Sequence, residues 1–314
     1  MGHKKKRTPR ESVKGFIFDV KRFALHDGPG IRTTIFFKGC PLHCLWCHNP
    51  ESIDRSPELI ARSARCSSCY ACVKVCPARA ISPGPGKGPV VVDRSKCDLC
   101  GKCVDACAYE ALEIVGRRTT VGDLVAEAAR DNVFYEQSGG GVTLSGGEPL
   151  AQPAFAIALL EELKARGFST ALDTSGLANE DVLARAALLS DLILYDLKTM
   201  DDSVHRRFVK SGNGLILENL RRLDRYGKPI RVRIPLVAGV NDGEENIAAS
   251  IGFLKTLSSV QRVDLLKYHK GGQEKYKNLG KQSCFRIFEP PSDGRTEEIR
   301  RAFTGAGFNV SIGG

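Results

Sequence analysis

The sequence predicts an α/β fold: an open, partial (β/α)6 barrel interrupted by a small cysteine-rich domain. Two observations carry this. From residue 119 onward strand-like runs alternate with helical ones, the pattern of right-handed βαβ units on a parallel sheet. Ahead of that stretch, eleven of the twelve cysteines are packed between Cys40 and Cys107.

Taken in order, residues 1–14 read as a basic, flexible tail. Strand-like runs at 15–20 and 33–38 flank a Gly/Pro-rich link at 26–30. Residues 57–117 form the insertion, broken by the turn-forming stretch SPGPGKGP at 82–89. The barrel then comprises 15–56 and 118–314. A helix is expected over 121–136 and a strand over 141–144, leading into Ser145-Gly146-Gly147-Glu148-Pro149. Helix 153–167, strand 168–173, helix 180–189 and strand 192–197 follow. A helical run to 227 precedes strand 230–237, helix 244–257, strand 262–268, helix 296–305 and strand 308–312. In such a barrel, polar residues at the C-terminal strand ends face a common site.

The chain has 314 residues, 42% hydrophobic and 26% charged, ordinary values for a globular protein. No apolar run approaches the ~20 residues of a membrane-spanning helix. The N-terminus lacks the apolar core of a secretory signal. The expectation is a cytoplasmic monomer with no membrane association. Part of the net charge of +10 sits at residues 4–10. Basic tails attract phosphate backbones, but no aromatic-and-basic recognition motif accompanies this one, so no nucleic-acid partner is expected.

In a chain with no mark of export, clustered cysteines at short spacings suit metal thiolates better than disulfides. Cys40, Cys44 and Cys47 make a CxxxCxxC loop directly after a strand. Three thiolates hold three irons of a cubane and leave the fourth open to a small molecule. A structural zinc site, with His43 or His48 as fourth ligand, fits the same spacing.

The surrounding motifs are more specific. HDGPGIRT at 26–33 and FFKGCPLHCLWCHNPES at 36–52 open the series. SGGEPL at 145–150, DTSG at 173–176, DLK at 196–198, RIPLVAGVND at 233–242 and YH at 268–269 continue it. Together they resemble the glycyl-radical-enzyme activating family of radical S-adenosylmethionine (SAM) enzymes, over nearly the whole chain beyond the tail. The resemblance implies an oxidoreductase in which Cys40, Cys44 and Cys47 bind a [4Fe–4S] cluster that cleaves SAM. The resulting radical would take a hydrogen from a glycine of a partner glycyl radical enzyme. It also implies a SAM pocket. Trp46 and His48 would lend backbone to the adenine, Gly146 and Gly147 would allow close approach, and Glu148 would accept from the ammonium. Asp173, Thr174 and Asp196 would hold a monovalent cation beside the SAM carboxylate. Leu197, Lys198, Arg233 and His269 would complete the pocket, with Lys198 and Arg233 facing the cleavage chemistry. Two residues depart from the family pattern: Ala238 and Lys267 stand where proline is common.

The insertion carries a repeat. Cys66-x2-Cys69-x2-Cys72-x3-Cys76 is followed by Cys97-x2-Cys100-x2-Cys103-x3-Cys107. This is the two-cluster ferredoxin pattern, in which the fourth cysteine of each run serves the other cluster. One [4Fe–4S] site would use Cys66, Cys69, Cys72 and Cys107; the other Cys97, Cys100, Cys103 and Cys76. With the catalytic one this makes three clusters. The inserted pair is expected to relay electrons from flavodoxin or ferredoxin, against a structural or docking role. Cys284 stands alone and reads as a buried or merely tolerated thiol.

Two other functions fit parts of the chain. A maturase of the sulfatase type would place auxiliary clusters after the barrel, and here they interrupt it. A simple electron carrier would leave the CxxxCxxC loop and the βα units unused.

Overall fold

The computed structural model describes residues 8–313. Thirteen strands build it: β1 Lys14–Ala24, β2 Arg32–Phe37, β3 Glu58–Ala61, β4 Ile81–Ser82, β5 Val91–Val92, β6 Leu112–Val115, β7 Arg117–Thr120, β8 Gly141–Gly146, β9 Thr170–Thr174, β10 Leu192–Asp196, β11 Ile230–Leu236, β12 Val260–Lys267 and β13 Val310–Ile312. Nine form one sheet in the order β13-β12-β11-β10-β9-β8-β2-β1-β7. From β2 to β13 every neighbouring pair is parallel. At the other edge β1 runs antiparallel to both β2 and β7. The row does not close on itself, which makes the barrel partial.

Register aligns the strand ends. Phe37 pairs with Gly146, Tyr195 with Thr174, and Arg233 with both Asp196 and Asp264. Along β11, Ile230, Val232, Ile234 and Leu236 are buried while Arg231, Arg233 and Pro235 are only partly so. Strand side chains alternate between faces, so the apolar set packs under helices and the arginines line the interior.

The helices are α1 Ala71–Val75, α2 Lys102–Asp105, α3 Val121–Ala128, α4 Asn132–Ser138, α5 Pro153–Ala165, α6 Glu180–Leu189, α7 Asp202–Val209, α8 Gly214–Asp224, α9 Glu244–Leu254, α10 Gly272–Asn278 and α11 Asp293–Gly305. In α5, Phe155, Leu159, Leu160 and Leu163 form the apolar stripe that covers the sheet. Asn179 caps α6 by accepting from the Asp181 amide, and Asp201 caps α7 through Ser203 and Val204. Ser292 caps α11 and starts it earlier than the sequence predicts. Among the described residues no helix is long and apolar enough to cross a membrane.

Several expectations change. Residues 8–13, placed in a flexible tail, make a turn in which the Ser12 amide donates to Thr8. Arg10 pairs with Glu161 at 3.0 Å and Glu11 with Arg166 at 2.7 Å, which fastens this segment to α5 and the turn after it. Residues 1–7 lie outside the described part. The helix expected over 121–136 breaks between α3 and α4. There Asp131, 1% exposed, turns inward to accept from Arg22 Nε at 2.8 Å and Thr33 Oγ1 at 2.9 Å. The helical run to 227 divides at Lys210, whose φ of 67° ends α7. Beyond it Asn213 donates to the Thr199 and Met200 carbonyls before α8 begins. Helix α10 was not foreseen.

The Arg22 hydrogen bonds hold the Asp131 carboxyl below its ordinary value of 3.8. A lowered folded pKa stabilises above the unfolded value and loses that contribution as pH falls through it. Asp131→Asn is expected to cost about 2 kcal/mol at pH 7. Urea midpoints should show the gap between variant and wild type narrowing toward pH 3; a gap independent of pH would remove the ion pair as its cause.

Candidate active site

The cysteine loop is seated on the strand ends by backbone bonds. The Gly147 amide donates to Phe37 at 2.9 Å and the Glu148 amide to Gly39 at 2.9 Å. The loop closes where Gly39 donates to Ser52 and Cys40 to Ile53, and Cys47 turns back onto the Cys44 carbonyl. On its outer side His43 and Leu45 donate to Val209 and Phe208 at the end of α7. Beneath it Lys38, with no exposure, donates to the Glu51 carbonyl at 2.6 Å and to Glu58 Oε2 at 2.9 Å.

The three thiols of this loop are half-buried, and burial raises all of them, Cys47 to about 12. A cysteine ligates metal as its thiolate, so ligation expels the proton of each thiol. His43 is exposed, and His48 packs edge-on against His269 with ring centroids 4.1 Å apart. Among the described residues no three His, Cys, Asp or Glu groups converge on a single-ion position.

Beside the loop lies a charged pocket. Asp173, at the end of β9, accepts from Ser145 Oγ at 2.6 Å and from Arg233 Nη1 at 3.0 Å. Lys198 donates to Asp196 Oδ2 at 2.9 Å just past β10. Asp27 completes the group, 3.9 Å from Arg233. Burial pushes the Asp173 carboxyl up against the pull of Arg233. Burial also opposes the charge on Lys198, yet Asp196, Cys44 and Cys40 together raise it. That lysine thus couples the pocket to the cysteine loop. Asp173 Oδ1 and Arg233 Nε are buried without a hydrogen-bond partner. Such atoms are costly unless a ligand meets them, and a carboxylate or cation would do so.

Other predicted residues stand elsewhere. Glu148 is fully buried and already engaged. Its Oε1 accepts from Thr174 Oγ1 and the Leu150 amide, its Oε2 from the Ser175 amide and hydroxyl. Four donors fill a carboxylate, so it brackets β8 to β9 instead of accepting from a ligand ammonium. Thr174 Oγ1 donates to Glu148 and accepts from the Gly176 amide, which leaves one lone pair unused. Trp46 is core, packed with Phe208 and Phe288 at 6.4 and 6.0 Å. Leu197 is buried as well. Gly146 and Gly147 are also needed for protein packing. A Cβ on Gly147 would stand 2.5 Å from the Gly39 carbonyl, and one on Gly146 2.4 Å from the Phe37 nitrogen.

The sequence reading missed three contributors. Asp27 lay within a quoted motif. Asn241 spans two strand ends by donating to the Lys198 and Pro235 carbonyls, both at 2.6 Å, and accepting from Val237. Lys275 of α10 reaches Asn49 and Glu51 of the loop, each at 2.8 Å; no local signal marks it.

In the insertion β3 pairs with β6, and β4 with β5. The repeat extends to backbone detail: Ser68 and Leu99 share positive φ, as do Arg79 and Glu110. The Ala80 amide donates to Cys76 Sγ and the Ala111 amide to Cys107 Sγ, both at 3.3 Å. The insertion holds two small pockets, each open in part to solvent. Cys66, Cys69, Cys72 and Cys107 line one; Cys76, Cys97, Cys100 and Cys103 line the other. These are the crossed sets the spacing implied.

Comparison with known proteins agrees. Residues 97–251 match the Radical SAM superfamily and residues 65–112 the 4Fe-4S dicluster domain. The first match starts inside the insertion, beyond the CxxxCxxC loop. The trans-4-hydroxy-L-proline dehydratase activating enzyme of Clostridioides difficile is 44% identical over 95% of this chain and 99% of its own. The benzylsuccinate synthase activating enzyme of Thauera aromatica is 40% identical over 95% of this chain and 92% of its own. The choline trimethylamine-lyase activating enzyme of Oleidesulfovibrio alaskensis is 38% identical over 95% and 98%. The chain belongs to the glycyl-radical-enzyme activating family. It is accordingly a radical SAM enzyme, and it uses SAM and iron–sulfur clusters. Its partner is a glycyl radical enzyme.

In this activating enzyme Gly147→Val drives a branched side chain into the Gly39 and Ser52 carbonyls. Displacement of the loop is expected to remove about a third of the bound iron along with SAM binding. Iron assay and equilibrium dialysis with SAM check this; full iron with SAM binding alone lost would return the glycine to a ligand role.

Proposed function

We propose that the enzyme binds SAM over the Cys40–Cys44–Cys47 loop and delivers a hydrogen-abstracting radical to a glycine of its partner. The observation that carries this is the pairing of that loop with a buried charged pocket holding unpartnered Asp173 and Arg233 atoms. When bound, the cluster supplies the electron that splits the sulfonium of SAM into methionine and a 5′-deoxyadenosyl radical.

The residues divide this work. Cys40, Cys44 and Cys47 hold the cluster, and Lys198 offsets the negative charge of the thiolates. Asp173 and Asp196 hold a monovalent cation, which with Arg233 neutralises the SAM carboxylate. His48 and His269 form one wall of the pocket from two distant parts of the chain. Fixed charges aimed at the reacting groups need no reorganisation during cleavage.

The inserted cysteines hold two further clusters, three in all, and relay electrons from flavodoxin or ferredoxin. Support for relay comes from the two cavities and the low potentials available to cubane clusters. The enzyme acts as a cytoplasmic monomer.

Anaerobically reconstituted protein is expected to hold about twelve irons per chain. Replacing Cys40, Cys44 and Cys47 by alanine should remove about a third of the iron and all 5′-deoxyadenosine formation. Retained cleavage in that triple variant would refute the assignment. Electron paramagnetic resonance of a partner glycyl radical enzyme mixed with this one should show a glycyl radical only with SAM and reductant present.

A second outcome concerns Arg233→Met. Its guanidinium neutralises charge on Asp173, so the variant should bind SAM more weakly while retaining its iron. Unchanged SAM affinity by dialysis would take Arg233 out of the pocket.

A further inference from the structure

Helix α10 touches both halves of the molecule. Its start lies on the catalytic loop, where a Cβ on Gly272 would stand 2.8 Å from the Cys47 carbonyl. Lys275 binds the same loop through Asn49 and Glu51. Its far end faces the insertion. Half-buried Arg94 donates from Nη2 to the Asn278 carbonyl at 3.0 Å and from Nη1 to the Leu59 carbonyl at 2.5 Å. Lys281, just beyond, pairs with Asp54 and Glu58.

This strap singles out one of the two inserted sites. Leu59 lines the cavity of Cys76, Cys97, Cys100 and Cys103. Arg94 stands just ahead of Cys97 in the chain. Tyr70, which lines the other cavity, donates to the Lys87 and Gly88 carbonyls within the insertion. Exposure does not separate the two, because Cys69 and Cys100 are both exposed. Contact with the catalytic loop does.

We propose that the relay has a fixed order set by this strap. Electrons from a low-potential, one-electron donor protein enter at the Cys66, Cys69, Cys72 and Cys107 site. They leave through the Cys76, Cys97, Cys100 and Cys103 site, which Arg94 positions against the catalytic loop by way of α10. The inference rests on the relay reading given above. In each step one electron passes, the accepting site is reduced as the donating site is oxidised, and no proton or leaving group moves. Electron transfer falls steeply with separation, so the site strapped to the loop is the exit.

The test counts stored electrons. Fully reconstituted enzyme is photoreduced, freed of reductant and mixed with SAM. The 5′-deoxyadenosine formed per chain is measured, together with the reduced-cluster resonance that remains. Wild type is expected to give about three products per chain, one for each cluster reduced. Cys69→Ala/Cys72→Ala should give about two, with no reduced signal left. Cys97→Ala/Cys100→Ala should give about one, with a reduced cluster stranded in the insertion. Exchanged yields for the two variants would overturn the order while leaving relay intact. About one product from wild type, with the inserted clusters still reduced, would overturn relay itself. Arg94→Met should reach the wild-type yield, with the later products appearing at least several-fold more slowly and Arg94→Lys recovering part of the rate. Wild-type kinetics in Arg94→Met would reject the positioning role.

Discussion

The buried Glu148 carboxylate is the constraint on which the site depends. Desolvation pushes its pKa up, because a charge taken out of water is costly unless it is fully bonded. Four donors from Leu150, Thr174 and Ser175 meet it. Its own backbone amide meanwhile holds the Gly39 carbonyl. One residue therefore locks the end of β8 to the end of β9 and to the start of the cysteine loop. The small residues around it follow from this closeness. Gly146 and Gly147 leave no room for a side chain between the loop and the strand ends. The loop that would carry the cluster is thus part of the barrel's packing.

With that loop fixed, the interior charges acquire their geometry from strand register. Arg233 lies opposite Asp196 on β10 and Asp264 on β12, and reaches over to Asp173 on β9. Asn241 then ties the turn after β11 to the Lys198 carbonyl. The result is a nearly satisfied network with two atoms left over, one of each sign. A site poised for a zwitterionic ligand has this form: rigid enough to be preorganised and incomplete until the ligand arrives.

The insertion is built on a different rule. Its two halves repeat not only the cysteines but the left-handed turns and the amide-to-sulfur bonds that orient them. The symmetry ends at the barrel. Arg94 stands in one half, and through it that half is fastened to α10. Glu58 meanwhile joins Lys38 beneath the catalytic loop to Lys281 beyond α10. Local repetition makes two equivalent sites, and tertiary contact makes them unequal.

The sequence by itself determined what depends on local spacing. Cysteine intervals defined both the catalytic loop and the crossed sets. Strand and helix periodicity defined the barrel, and motif order carried the family. The family resemblance also named Asp173, Asp196, Lys198 and Arg233, which strand register brings together. What the sequence misjudged depends on partners far away in the chain. Glu148 was read as a ligand contact because its motif lies beside the site, but its oxygens are spent on Leu150, Thr174 and Ser175. The helix over 121–136 broke because Asp131 found Arg22 and Thr33. Helix α10 and Arg94 carry no pattern at all, because their role is to bridge segments whose separation in the chain hides their contact. Only the tertiary structure could decide which polar groups are already satisfied and which remain free for a ligand.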